Sequence, residues 1–419
     1  MPVPVGRTVV FAFGGSQGSR SLNRSLVDAL GDLLPHADRL FVVHGTGLFK
    51  GTGYDAQADT EARLAARYPA DVRERISTFY AARSYFHDIA SAYALADLVV
   101  IRGGSGSLNE VARLGIPALV VPKANLPGDH QVANARALER AGGAEVLYEE
   151  TVLENGHLTE VLDGGLLARR ILALADDPGR RAEMSRKGRD VLGVDAAAEI
   201  AHHVKQGKGS GEIDPTLVPA PTVVSNATLL SRLEKAAAAA GRGYRPGDVV
   251  EPRDLAWFRS RAASLLVRDE WEARNLGVKL LGLLDAKDKV PLLLALLADR
   301  TPAPLVHRLL GGDFVQVGFI RRNVVSALAR LDVVDAGVES ALLAAFSDPY
   351  WEVRAEAART AARFASRLER RGEVVAALVK GLSDRNLEAA AAAAEALGVL
   401  GGETDALPAL LGLSDYRFW

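Results

Sequence analysis

The sequence contains no cysteine. Disulfides, thiolate metal sites and a cysteine nucleophile are therefore excluded. No charge sign dominates: 50 Lys and Arg stand against 52 Asp and Glu. No global basic field exists to hold nucleic acid, and no nucleic-acid partner is expected. No uncharged apolar run approaches the ~20 residues that a membrane-spanning helix needs. The richest stretch, Leu280–Leu297, is broken by Asp285, Lys287, Asp288 and Lys289. The opening Met-Pro-Val-Pro-Val-Gly lacks the basic region and apolar core of a signal peptide. These absences make a cytoplasmic protein the expectation. A G-x-G-x-x-G fingerprint, a P-loop lysine and an Asp-x-Asp metal motif are also missing. Neither a cofactor nor a metal is expected.

What is present divides the 419 residues into two kinds of pattern. Their number exceeds one ordinary core and suggests two or three domains. In the first half, short β-branched runs alternate with amphipathic stretches. Strands are expected at Thr8–Phe13, Leu40–His44, Ile76–Phe79, Leu98–Ile101, Ala118–Val121 and Glu145–Leu147. Helical patterns lie between them, including Leu22–Leu34, Ser105–Leu114 and Gln131–Ala141, and two or three more helices run from Leu158 to Lys205. This alternation predicts an α/β domain over residues 1–205, with a parallel sheet covered on both faces. Residues 206–224 are rich in Gly and Pro and read as a flexible linker.

From Asn226 onward no strand signal remains. Apolar helices ending in Asp recur at Leu293–Asp299, Leu342–Asp348, Leu378–Asp384 and Leu410–Asp415. Second helices follow, such as Trp351-Glu-Val-Arg-Ala-Glu-Ala-Ala, with an earlier copy at Trp271-Glu-Ala-Arg. The spacing is near the ~40 residues of two-helix solenoid repeats. Residues 225–419 thus resemble HEAT repeats, an all-α solenoid, with an insertion around Thr301–Gly318. A plain Ala-rich helical bundle is the alternative. The end, Asp415-Tyr-Arg-Phe-Trp419, falls where a further repeat is due, so a truncated C-terminus is expected.

Three strand–turn–helix junctions carry the chemistry. Phe13-Gly14-Gly15-Ser16-Gln17-Gly18-Ser19-Arg20 follows the first strand and opens a helix. Glycines there let the backbone approach a ligand, and the helix start favours phosphate. Such a turn is equally often a mere tight connection. Arg102-Gly-Gly-Ser105-Gly106-Ser107-Leu-Asn-Glu110 follows the fourth strand. Ser105, Gly106 and Ser107 sit where amides and hydroxyls hold phosphate. Glu110 either accepts hydrogen bonds from a ribose diol or compensates the helix dipole. Asp129-His130-Gln131-Val-Ala-Asn134 opens a further helix, with Asp129 as N-cap. His130, Gln131 and Asn134 share a face, and Gln and Asn supply both donors and acceptors for sugar hydroxyls. A capped surface helix explains the same residues. Tyr85, Phe86 and Ile89 form an apolar trio before the fourth strand, which also suits ordinary core packing.

The string Gly-Gly-Ser-Gln-Gly-Ser-Arg-Ser-Leu-Asn (14–23) and the two later junctions, in this order, resemble the C-terminal domain of the MurG-type UDP-GlcNAc transferases. The resemblance covers residues 8–205 and implies a Rossmann-like GT-B domain that binds UDP-GlcNAc. By that likeness Ser16 and Gln17 face the diphosphate, and Gly15, Ser105, Gly106 and Ser107 are counted with them as substrate-binding residues. Tyr85, Phe86 and Ile89 line the uracil, Glu110 binds the ribose, and His130, Gln131 and Asn134 meet the sugar. The loop Lys123–Pro127 departs from the family wording, which loosens the sugar assignment.

The family pairs this domain with another that holds the lipid-linked acceptor and a general base. That acceptor domain is expected to be absent from this chain, and none of the eight His residues matches the base. His44 reads as structural. The expected activity is inverting transfer of GlcNAc to a lipid-linked peptidoglycan precursor, completed by an acceptor domain upstream or in trans. The repeats are expected to bind a protein partner, with peripheral association at the inner face of the cell membrane. The other class of function is a non-catalytic UDP-sugar sensor or scaffold.

Overall fold

The structure, a computed structural model, describes residues 4–51, 53–124, 130–191, 224–302 and 318–400, together with 407 and 411. The expected linker (apart from Val224), residues 303–317 of the insertion, the Asp129 cap and most of Leu410–Asp415 lie outside the described residues. Two compact units emerge: Met1–Glu150 with Glu160–Val224, and Thr151–Thr159 with Ser225–Trp419.

The first unit begins with β1 (Thr8–Phe13), α1 (Arg20–Leu33), β2 (Leu40–Gly45), α2 (Ala56–Arg67), α3 (Ala70–Ser77) and β3 (Tyr80–Arg83). Then come α4 (Ile89–Leu95), β4 (Leu98–Ile101), α5 (Ser105–Leu114), β5 (Ala118–Val120), α6 (His130–Arg140) and β6 (Ala144–Val146). The six strands are parallel in the order β3-β2-β1-β4-β5-β6. The strands are apolar throughout because both faces are covered. Along β1, Val10 and Ala12 enter one core with Leu22, Leu26 and Leu30 of α1. Val9, Phe11 and Phe13 enter the other, with Tyr93, Leu108 and Val111. The strand order reverses between β1 and β4. In sheets of this kind the crevice outside the carboxyl ends of such a strand pair receives the ligand.

Two readings of the sequence need correction here. The third strand is Tyr80–Arg83, whereas Ile76 belongs to α3 and packs as its single buried residue. After β6 the chain makes a hairpin, β7 (Glu150–Glu154) and β8 (His157–Val161), before α7 (Gly164–Ala175) and α8 (Pro178–Val191). Its turn, Asn155-Gly156, has φ of 50° and 79°. Positive φ at both central residues suits the twist of a tight hairpin, and Asn-Gly tolerates it.

The second unit contains α9 (Asn226–Ala240), α10 (Leu255–Ala263), α11 (Trp271–Leu283), α12 (Val290–Ala295), α13 (Phe319–Leu331) and α14 (Ala336–Ala345). It continues with α15 (Trp351–Arg363), α16 (Arg371–Gly381) and α17 (Leu387–Leu400). Helices α11, α13, α15 and α17 pack successively in one row, and α12, α14 and α16 in a second. This is a two-layer helical solenoid. An arginine–aspartate ladder joins its repeats. Arg274 bonds Asp299 at 2.9 Å, Arg321 bonds Asp348 at 2.7 and 2.9 Å, and Arg354 bonds Asp384 at 2.5 and 2.7 Å. Each arginine also caps a carbonyl behind it: Asp269 for Arg274, Asp299 for Arg321, Asp348 for Arg354. The ladder stops where Ala390 takes the arginine's phase. Among the described residues no helix is long and apolar enough to cross a membrane.

Candidate functional site

The turn between β1 and α1 is held from below by the end of β2. A Cβ on Gly18 would lie 1.9 Å from the Thr46 carbonyl oxygen, so only glycine permits this approach. The Leu48 N–H donates to the Ser16 carbonyl at 2.9 Å. Gly15, Ser16 and Gln17 are left exposed at the tip. Helix α1 starts three residues later, N-capped by Ser19. Asn23, fully buried, braces the same corner: its Nδ2 donates to Thr46 O at 2.7 Å. That bond fixes the amide, so Asn23 Oδ1 must accept from His44 Nε2 at 3.1 Å. His44 Nδ1 then accepts from the Tyr80 hydroxyl at 2.8 Å.

This network makes His44 structural. Burial keeps the imidazole neutral, with its pKa lowered to about 3. The unfolded chain protonates it near pH ~6.5, so below that pH the unfolded state gains a proton that the folded state refuses. The first unit should lose about 2 kcal/mol between pH 7 and 5 from this residue alone. Urea unfolding at both pH values measures it, and His44→Gln should flatten the difference. Equal pH slopes for the variant and the parent would refute the assignment.

The second turn opens α5, with Gly104 as N-cap and Ser105 as first helical residue. A Cβ on Gly103 would fall 2.3 Å from the Gln131 carbonyl oxygen, so the starts of α5 and α6 are packed together. The Asn134 amide reaches the Gly103 carbonyl at 3.5 Å, and Gln131 Oε1 accepts the Lys123 N–H at 3.1 Å. His130 is exposed. By contrast, Cβ atoms on Gly15, Gly104 or Gly106 would meet nothing within 4 Å. Both turns therefore present bare backbone to open space. Phe13 and Ile101 are paired residues at the ends of β1 and β4, so the two turns rise side by side.

Glu110 is the sixth residue of α5, beyond the first turn where a carboxylate best offsets the dipole. Its Oε2 accepts the Tyr93 hydroxyl at 2.9 Å and the residue is exposed. Ile89, Tyr93 and Glu110 line one groove of about 730 Å³, but its other walls include Asp97 and Pro117, at the amino ends of β4 and β5, and Arg181 and Arg189 of α8, with no residue of either glycine turn. Phe86 sets its edge on Phe11 at 5.2 Å, and both Phe86 and Ile89 pack on the core, whereas Tyr85 remains exposed. The apolar trio is thus brought to one segment but splits between core and surface.

A partly buried charge cluster around the buried Glu149, beside these turns, was not visible in the sequence. Arg102 donates from Nη2 to Ser19 and Ser21 Oγ at 2.5 and 2.8 Å, and to Glu149 at 2.8 Å. Its Nη1 reaches the Val121 carbonyl at 3.1 Å. Lys123 Nζ pairs with Glu149 at 3.3 Å and with Glu160. Burial alone would raise the Glu149 pKa, but the Arg102 guanidinium and Lys123 ammonium hold the carboxyl below its ordinary value. The four residues come from four segments, so no local spacing announces them. The one signal was Lys123, in the loop whose wording departs from the family.

Residues 9–189 match the glycosyltransferase family 28 C-terminal domain, and residues 338–417 match HEAT repeats. An Anaeromyxobacter protein named UDP-N-acetylglucosamine–N-acetylmuramyl-(pentapeptide) pyrophosphoryl-undecaprenol N-acetylglucosamine transferase is 35% identical over 195 residues, 46% of this chain and 45% of that protein. The protein of the same name from Salinibacter ruber is 35% identical over 204 residues, 48% of this chain and 47% of its own length. The crystal structure of Acinetobacter baumannii MurG is 26% identical with a TM-score of 0.34, covering 45% of this chain and 46% of that one. The chain spans about half the length of the curated relatives it matches.

Proposed function

We propose that the first unit, whose residues 9–189 match the glycosyltransferase family 28 C-terminal domain, binds UDP-GlcNAc for inverting transfer to a lipid-linked acceptor. The observation that carries this reading is the pair of bare glycine turns at the carboxyl ends of β1 and β4, where the strand order reverses. Their amides, with the helix starts behind them, suit a diphosphate. Glu110, in the second turn of α5, would accept the ribose hydroxyls, and Ile89 with Phe86 would support the uracil. Gln131, His130 and Asn134, at the start of α6, would meet the sugar.

In the transfer an acceptor hydroxyl attacks the anomeric carbon, the bond from that carbon to the β-phosphate oxygen breaks, and UDP leaves. The two turns stabilise the charge that grows on the departing diphosphate. Acceptor binding and the base that takes the hydroxyl proton come from a second, acceptor-binding half, upstream or in trans. The helical unit recruits a protein partner, and the assembly works at the inner face of the cell membrane, where a lipid-linked acceptor resides.

Titration of the full chain with UDP and UDP-GlcNAc tests the reading. Glu110→Ala should weaken both by about tenfold or more, the loss of a hydrogen bond to a charged group. Gln131→Ala should weaken UDP-GlcNAc and spare UDP. Equal loss of both ligands in Gln131→Ala would remove α6 from the sugar subsite, and unchanged binding in Glu110→Ala would remove the ribose role.

A further inference from the structure

Arg102 and Lys123 stand where the donor-binding reading puts the diphosphate end of the ligand. Arg102 opens the second glycine turn and grips Ser19, which closes the first. Lys123 lies at the end of β5, and its own N–H holds the side chain of Gln131. Two cations so placed would give a diphosphate site a strong positive field. Here they are matched by two carboxylates, and the cluster is electrically balanced. Glu149, at the foot of the hairpin, has its side chain only 4% exposed and lies between both cations. Glu160, on β8, takes the other side of Lys123. Both carboxylates thus lie outside the main sheet, Glu149 just before β7 and Glu160 on β8.

The environment of each oxygen shows what Glu149 does. Its Oε1 receives Arg102 and the Ser21 hydroxyl, and its Oε2 receives Lys123. These are the interactions that a phosphate oxygen makes: a guanidinium, an ammonium and a hydroxyl at a helix start. We infer that the Glu149 carboxylate is an internal counter-ion that competes with the donor's diphosphate for Arg102 and Lys123, and so is a positioning residue that sets how strongly the site holds a diphosphate. The inference rests on the donor-binding reading and adds to it a restraint on affinity. A site with this counter-ion holds UDP less tightly than its cations alone would, which favours release of the diphosphate after transfer.

Two substitutions of opposite expected sign test it in the full chain, with UDP and uridine as the probes. Glu149→Gln keeps the shape and removes the charge. The ratio of UDP to uridine affinity should rise by about tenfold, because Arg102 loses its carboxylate partner and Lys123 one of its two, which leaves both cations freer for an incoming anion. Lys123→Met removes a cation and should lower the same ratio by about fivefold or more. Uridine affinity itself should hold in both, since neither residue is assigned to the nucleoside. A residue with only a structural role would lower both affinities together or leave the ratio unchanged. An unchanged or lowered ratio in Glu149→Gln overturns the counter-ion role. If that variant fails to fold, an unchanged ratio in Lys123→Met overturns it instead. Absence of UDP binding by the parent chain overturns the donor-binding reading and this inference with it, so the two failures are distinct.

Discussion

Gly106→Val should leave the first unit folded and reduce its affinity for UDP by about a hundredfold. Gly106 is the second residue of α5, and a Cβ there meets no protein atom within 4 Å. The Cβ therefore brings no clash that would cost folding. Replacing a helical glycine even recovers a few tenths of a kcal/mol, up to about 1 kcal/mol with alanine. A phosphate seated on the amides of Ser105–Ser107 would have to retreat from the new methyl groups. Losing two charge-assisted hydrogen bonds at about 1.5 kcal/mol each corresponds to the hundredfold weakening. Titration with UDP and urea unfolding of the same variant separate the two effects. Retained affinity would show that the open space beside Gly106 is not where a phosphate sits.

Arg321→Ala should destabilise the helical unit by about 3–5 kcal/mol, the cost of leaving a buried partner uncompensated. The Arg321 side chain is 0% exposed and that of Asp348 is 7% exposed. The guanidinium spans consecutive repeats, from the Asp299 carbonyl to the Asp348 carboxylate. Its removal leaves that carboxylate without its cation and opens a cavity between α13 and α15. Arg354→Ala should cost less, since Arg354 is 20% exposed and water can replace part of the bond. Urea unfolding followed by helical circular dichroism gives both values. Equal, small losses would mean that the ladder merely accompanies the packing of the apolar faces.

The motif behind the ladder was legible in the sequence, as a helix-closing Asp followed by a helix such as Trp351-Glu-Val-Arg354. The pairing was not, because each Arg bonds an Asp 25–30 residues further along the chain. β1 was legible too: six consecutive apolar or β-branched residues suit a strand buried on both faces. β3 was not. Tyr80-Ala-Ala-Arg83 is an edge strand with half its residues exposed, and the stronger apolar signal of Ile76 belongs to the preceding helix. The hairpin was missed although Asn155-Gly156 is a strong turn signal, because Glu150–Glu154 and His157–Val161 carry little apolar alternation. The glycine turns could be located from strand, turn and helix order alone. The Arg102, Lys123, Glu149 and Glu160 cluster could not, since only the fold brings the residues after β4 and β5 together with Glu149 and Glu160.

The central claim is that a nucleotide diphosphate sits across the two glycine turns of the first unit. Amide hydrogen exchange of the full chain with and without saturating UDP tests it most directly. The account predicts slowed exchange at Gly14–Ser19 and Gly103–Ser107, with smaller protection around His130–Asn134 and no change in α11–α17. Exchange at the two turns that is identical with and without UDP, in a chain that remains folded, would contradict it.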